Sequence, residues 1–228
     1  MKVAIGSAFR NSAARGQLHR YFQQVEHLHQ LLQKRGDSLH VIAIEGDSVD
    51  NTHFELRRYS EYLMLAMQVV NRTHGCREWG STEEPERMQK LSYVGNGILE
   101  HVHEDDDALI YVESDLVWQA PAIVRVLDKL KEGVDVIAPM TFAGEAFYDI
   151  WAFRKNGHRF GPFHPYHGDL NLNELTTVDS AGSCLIMKGE VARKCRIIDG
   201  EALVGFSRDV WAKGFTLFCD PTERIQHP

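Results

Sequence analysis

"LIYVESDLVW", residues 109–118, decides the reading of the fold. Leu109, Ile110, Tyr111 and Val112 form the short continuous apolar run of a strand buried on both faces. The run stops on Glu113, Ser114 and Asp115 and turns apolar again at Leu116, Val117 and Trp118. Burying an unpaired carboxylate costs several kcal/mol. Two of them one residue apart need either a neutralising partner or an open strand end.

The flanking chain argues for the strand end. Upstream, "KVAIGSAFRNS" reads as a strand running into a loop. "LHRYFQQVEHLHQLLQKRG" places Leu18, Phe22, Val25, Leu28, Leu31 and Leu32 at helical spacing before Gly36. "SLHVIAIEGDSVDNT" reads as a second strand breaking into a turn, and "HFELRRYSEYLMLAMQVV" as a second helix. After the polar loop "THGCREWGSTEEPE", "RMQKLSYVGNGILEHVHE" reads as a third helix that Gly95 and Gly97 weaken. "APAIVRVLDKLKEG" is a helix with Pro121 in its first turn, and "VDVIAPM" a short buried strand. This alternation predicts an α/β fold with a mainly parallel central sheet, whose ligands bind at the carboxyl ends of the strands. Three such ends carry polar clusters: "AFRNS", "EGDSVDNT" and "ESD".

From residue 141 the character changes. "TFAGEAFYDIWAFRKNGHRFGPFHPYHGDLNLNELT" has no clean period and is rich in aromatics, Gly, Pro and His. A segment this long without regular structure is usually functional. A strand through "TVDSAGSCLIMKGEVARKCRI", entered at Asp179–Gly182, a helix through "ALVGFSRDVWAKG" and a final strand "FTLFCD", broken by Pro221, complete the reading. The expectation is one domain over 1–228, with a nucleotide-sugar half (1–140) and an acceptor half (141–228).

The 228 residues are 43% hydrophobic and 25% charged, the make-up of an ordinary globule. A formal charge of −7 argues against broad, sequence-independent binding to nucleic acid. No apolar run reaches the roughly 18–20 residues that span a bilayer. The apolar part of "MKVAIGSAFRNS" is too short for a signal peptide. Cys76, Cys184, Cys195 and Cys219 are scattered with no CxxC pair, which argues for reduced thiols, a cytoplasmic setting and no structural zinc site.

A Glu-x-Asp pair at a strand end offers hard oxygen ligands on a tight turn. Such a pair suits Mn²⁺ or Mg²⁺ held together with the oxygens of a diphosphate. The order of "IGSAFRNS", "YFQQVEHL", "IAIEGDSVDNT", "KLSYVGNGILEHV", "ALIYVESDLVWQAP", "DVIAPM", "VDSAGSCLIMKGEV", "GFSRDVWAKGF" and the closing "IQHP" resembles the GT-A fold glycosyltransferases. The nearest likeness is to the Anp1-like mannosyltransferases, and more loosely to family 2-type transferases.

That resemblance implies transfer of a sugar from a UDP- or GDP-sugar to an acceptor hydroxyl, with retention. It puts "ESD" in the place of the DxD motif. Asp115 would ligate the metal, Glu113 would hold the donor ribose or the metal through water, with Ser114 beside them, and His227 would be a further ligand. Phe9, Arg10, Glu45 and Asp47 would serve the nucleotide; the plain alternative for "EGDSVDNT" is a turn capping the second helix through Asp50 or Thr52. Arg87 and Lys90, one helical turn apart, would offset phosphate charge, Asn96 would approach the donor sugar, and Gly182 would let the backbone come close to it. Asp179, Glu201, Asp209 and Asp149 are the candidates for the acceptor-side carboxylate. Trp151, His164 and His167 would bind the acceptor.

The chain departs from the family at two points. Ser183 stands where a second Gly is usual, and Val204 where an acidic residue precedes "GF". Two other readings stay open. One is a transferase acting on a modified base in DNA, which "RFGPFHPYH", with its cations and stacking groups, suits. The other is a catalytically silent sugar-nucleotide binding module.

Overall fold

The computed structural model describes residues 1–63, 65–75, 78, 79 and 83–228. In chain order, β1 (Lys2–Phe9) is followed by α1 (Gln17–Lys34), β2 (Ser38–Glu45), α2 (Thr52–Tyr62), β3 (Ala66–Asn71), α3 (Pro85–Glu100), β4 (Ala108–Val112), α4 (Ala120–Leu127) and β5 (Val136–Ala143). The second half adds the short strands β6 (Ala146–Phe147), β7 (Arg154–Lys155), β8 (His158–Arg159) and β9 (Thr176–Thr177). It ends with β10 (Cys184–Lys188), α5 (Gly189–Lys194), α6 (Ala202–Ala212) and β11 (Leu217–Gln226).

The described strands of the main sheet run β3-β2-β1-β4-β10-β5-β11-β9. β1 to β4 pair in parallel, as do β5 and β11, while β10 runs antiparallel between β4 and β5. Alternating strand residues feed two cores. Val3, Ile5 and Ile110 pack with α1, α2 and α4, and Ala4, Ile42 and Leu109 with α3, α5 and α6. α1 buries Leu18, Phe22, Val25, Leu28 and Leu32 along one stripe, each contributing about 1.5–3 kcal/mol. No described helix is long and apolar enough to cross a membrane.

The "VGNG" of α3 is a packing device. A Cβ on Gly95 would stand 2.5 Å from Ile197 Cδ1 and 2.8 Å from the Tyr111 hydroxyl. The helix therefore lies tight against the floor of the crevice, and close packing offsets the propensity it gives up.

Three elements differ from the sequence reading. The strand read through "TVDSAGSCLIMKGEVARKCRI" stops at Lys188, and Gly189–Lys194 forms α5. The second helix stops at Tyr62, and Ala66–Asn71 forms strand β3 beside β2. Val69 and Val70 favour the pleated edge over a further helical turn. The final strand is not broken at Pro221. β11 runs to Gln226, with its register against β5 shifting between Asp220 and Arg224. That irregularity accommodates a residue with no N–H to give the ladder. Beyond it Gln226 bridges Val117, and the His227 N–H donates to the Phe142 carbonyl at 2.7 Å.

Candidate active site

The turn after β4 is held entirely by its backbone and by Ser114. The Glu113 N–H donates to the Ser183 carbonyl (3.0 Å), the Ser114 hydroxyl to the Ala8 carbonyl (2.7 Å), and Arg20 Nη2 to the Asp115 carbonyl (2.7 Å). Among the described residues no backbone N–H donates to either carboxylate, so both are left for the crevice. Asp115 Oδ2 lies 3.5 Å from His227 Nε2. The His227 ring stacks on Tyr148, with centroids 3.9 Å apart and planes 16° from parallel.

Glu113 opens to the water of the crevice, yet protein atoms crowd it on its other sides. That desolvation, with the charges of Asp115 and Asp149 added, pushes its carboxyl up to about 8, against the pull of Arg87. Tyr148 is pushed up to about 12, by burial first and then by Glu113, Asp115 and Asp149.

Two cavities meet at this turn. One, of about 240 Å³, is lined by Arg10, Arg15, Arg87, Tyr111 and the "ESD" residues. The other, of about 380 Å³, is lined by Glu83, Asp149, Trp151, Gly182 and Ser183. Arg87, Leu91, Glu113 and Tyr148 belong to both. A hollow of about 430 Å³ between the start of α1 and α2 contains none of these groups.

Asp149 is buried in the wall of the second cavity. It accepts hydrogen bonds from the Ser183 hydroxyl (2.7 Å) and the Ala152 N–H (3.2 Å), while burial raises its pKa. Gly182 is required by this contact, since a Cβ there would sit 2.5 Å from Asp149 Oδ2. Ser183 adopts a left-handed backbone, φ 61, a conformation that favours glycine; its bond to Asp149 offsets that strain.

Several expected residues are placed elsewhere. Phe9 is 2% exposed and packs edge-on to Tyr21, so its ring is core and not a nucleobase platform. Glu45 accepts the Ser48 N–H at 2.9 Å, and Asp47 accepts those of His74 (2.9 Å) and Gly75 (2.8 Å). Glu45 closes its own turn, and Asp47 ties that turn to the loop after β3. Asn96 spends both ends of its amide on Ile197, at 3.0 and 2.8 Å. Asp179 accepts the Gly157 N–H (2.7 Å) at the surface, and Glu201 accepts Arg208 (2.6 Å). Asp209 accepts the Arg196 N–H (2.7 Å) and Lys213 (2.6 Å). Of the four acceptor-side candidates, only Asp149 lines a crevice cavity. His164 is exposed beside Tyr166, and His167 accepts the Asp169 N–H at 3.1 Å; neither lines the crevice. Lys90 lies nearer His74 and lines neither cavity. Glu113 does not complete a compact three-ligand set with Asp115 and His227.

The sequence reading passed over Tyr148 and Arg15. Tyr148 sat beside a residue already singled out, Asp149, in a segment crowded with aromatics. Arg15 follows the first strand by six residues, and only the path of the loop brings it to the crevice.

No protein-family model matches the chain, and no curated protein matches it in sequence. The resemblance to the Anp1-like family thus finds no support beyond the coarser fold. Solved structures do match. S. aureus TarS residues 1–349, solved alone and in complex with UDP, superposes over 99% of this chain with TM-scores of 0.60 and 0.61 at 11% identity. The match spans 60% of that TarS chain. The inositol-1-phosphate CTP transferase from T. maritima superposes over 100% of this chain and 88% of its own, with TM-score 0.54 and 8% identity. The chain has the mixed α/β fold, with a mostly parallel central sheet, that these two transferases share.

Proposed function

We propose that this chain is a metal-dependent glycosyltransferase that moves a sugar from a UDP- or GDP-sugar to an acceptor hydroxyl. The observation that carries the reading is the meeting of Asp115, which lines the smaller cavity at the carboxyl end of β4, with His227, 3.5 Å away and stacked on Tyr148, which lines both cavities. The shared fold of TarS, which was solved with UDP, adds to it.

The donor set fits a divalent cation. Asp115 offers a hard carboxylate oxygen and His227 an imidazole nitrogen, a mixture that Mn²⁺ accepts more readily than Mg²⁺. When bound, such an ion stabilises the charge that grows on the leaving diphosphate. Arg10, Arg15 and Arg87 line the smaller cavity and add fixed positive charge for the same diphosphate. Asp149 and Trp151, in the larger cavity, orient the acceptor. Retention at the anomeric carbon is the outcome the resemblance implies, and NMR of the product reads it.

The test is release of nucleoside diphosphate from UDP- and GDP-sugars with Mn²⁺ or EDTA, with and without acceptors. Glycans and hydroxymethylated DNA form the acceptor panel. Mn²⁺-dependent release stimulated by an acceptor supports the reading. Donor binding with no release under any condition leaves a sugar-nucleotide binding module instead.

A further inference from the structure

The other end of the sheet holds a cluster that the crevice does not use. His40, on β2, faces Asp106 and His103 in the loop that enters β4, at the amino ends of strands whose carboxyl ends form the crevice. Among the described residues these three form the one group whose metal-ligating atoms all lie within 4.8 Å of one another. We propose that His40, His103 and Asp106 form a separate cation site of the zinc class.

Burial makes Asp106 an unusual surface-loop carboxylate, because its side chain is only 1% exposed. His40 Nε2 stands 2.9 and 3.0 Å from its two oxygens. The ring nitrogen and both oxygens thus converge within reach of one ion. Ligand atoms of a tetrahedral zinc lie about 3.3 Å apart, so small adjustments admit the ion.

The backbone around the pair is already fixed. The His103 N–H donates to Asp106 Oδ2 (2.7 Å), and Arg193 Nη1 donates to the carbonyls of His103 and Asp106 (2.9 Å each). The His103 ring lies flat on that of His40, with centroids 4.4 Å apart and planes 7° from parallel. Because His103 is exposed, its ring is free to turn about χ2 and bring a nitrogen to the shared point. The fourth position then faces solvent. Two imidazoles and one carboxylate suit Zn²⁺ far better than Mg²⁺. An ion there ties β2 to the entry of β4 across β1 and stabilises the fold by mass action.

The test uses the full chain without a histidine tag, stripped with EDTA and titrated with Zn²⁺ by calorimetry and with Co²⁺ by visible absorption. The expected result is one equivalent, separate from any held in the crevice, that is still bound in Asp115→Asn, whose crevice site is impaired. His103→Ala, an exposed change, should weaken that binding by about tenfold or more and abolish the rise of Tm with Zn²⁺. Asp106→Asn should do the same; if it fails to fold, His103→Ala decides. Binding that survives His103→Ala would reduce the cluster to a His40–Asp106 ion pair and overturn the proposal. Binding lost with Asp115→Asn would place the ion in the crevice and overturn it equally, without touching the reading of the crevice as a transferase site.

Discussion

β2 ends in Glu45-Gly46-Asp47 and β4 in Glu113-Ser114-Asp115, on either side of β1 in one sheet. The spacing is the same, and so is the strand end. At the first turn the carboxylates accept backbone N–H groups from Ser48, His74 and Gly75, and those bonds, with His74 and Arg10 nearby, hold Asp47 below its usual pKa against the opposing effect of burial. At the second turn the hydrogen bonds run through Ser114 and the main chain, and the carboxyls face the crevice. An acidic pair is consumed where the turn needs acceptors and is left for a ligand where other groups close the turn.

The sharpest way to break this contrast is to neutralise one aspartate at each turn. Asp115→Asn should lower turnover by at least about 10²-fold, the scale of removing one preorganised electrostatic partner, with Tm little changed. Asp47→Ala should do the reverse, costing about 1–3 kcal/mol of stability and leaving turnover within about twofold. Urea melts beside steady-state rates read both. Loss of activity in Asp115→Asn only in step with its stability would make the second turn as structural as the first.

Donor affinity sharpens the same point. With Asp115 beside the diphosphate and no cation between them, like charges repel. Calorimetry should show the donor binding about tenfold or more tighter with Mn²⁺ than with EDTA, and Asp115→Asn should erase most of that gap. Asp47→Ala should leave it intact.

Within the second half, Asp149 and Asp179 make a smaller version of the comparison. Both were candidates for the acceptor side, Asp149 among aromatics in the sequence and Asp179 among small and aliphatic residues. Asp149→Ala should raise the acceptor KM or lower kcat by about tenfold or more with little change in donor Kd. Asp179→Ala, which loses only its bond to the Gly157 N–H, should leave both parameters nearly unchanged.

The sheet was legible because its strands are short apolar runs between helices of clear period. β3 was missed because "LMLAMQVV" continues an apolar stretch directly after a helix, and no Gly or Pro separates them. In the crevice, placement was legible where strand order decides it: Asp115 and Arg87 line the smaller cavity and His227 lies beside Asp115. It was illegible where a partner distant in sequence decides it. Asn96 is spent on Ile197, 101 residues away. Phe9 fails for the same reason, because whether an aromatic at a strand end turns inward depends on α1, whose Tyr21 and Phe22 receive its ring.

The smallest effect is also the cleanest test of the two turns, because it needs no substrate. Desolvation by the protein atoms that crowd its inner sides, with the neighbouring Asp115 and Asp149, raises the Glu113 carboxyl from 4.5 to about 8, so the folded chain keeps a proton that the unfolded chain releases over that window. Stability from this group is therefore present at low pH and lost as pH rises toward 8. Glu113→Gln keeps the shape and cannot ionise, so its Tm should gain on the wild type steadily from about pH 5 to pH 9. Asp47 has the opposite sign. Its lowered pKa contributes stability above the usual carboxylate range that is lost as pH falls, so the deficit of Asp47→Ala should shrink toward acid. Thermal melts, from about pH 5 to pH 9 for Glu113→Gln and from about pH 5 down into acid for Asp47→Ala, should give difference curves of opposite slope. A flat curve for Glu113→Gln would mean that crevice water solvates the carboxylate fully and that the two turns differ in geometry alone.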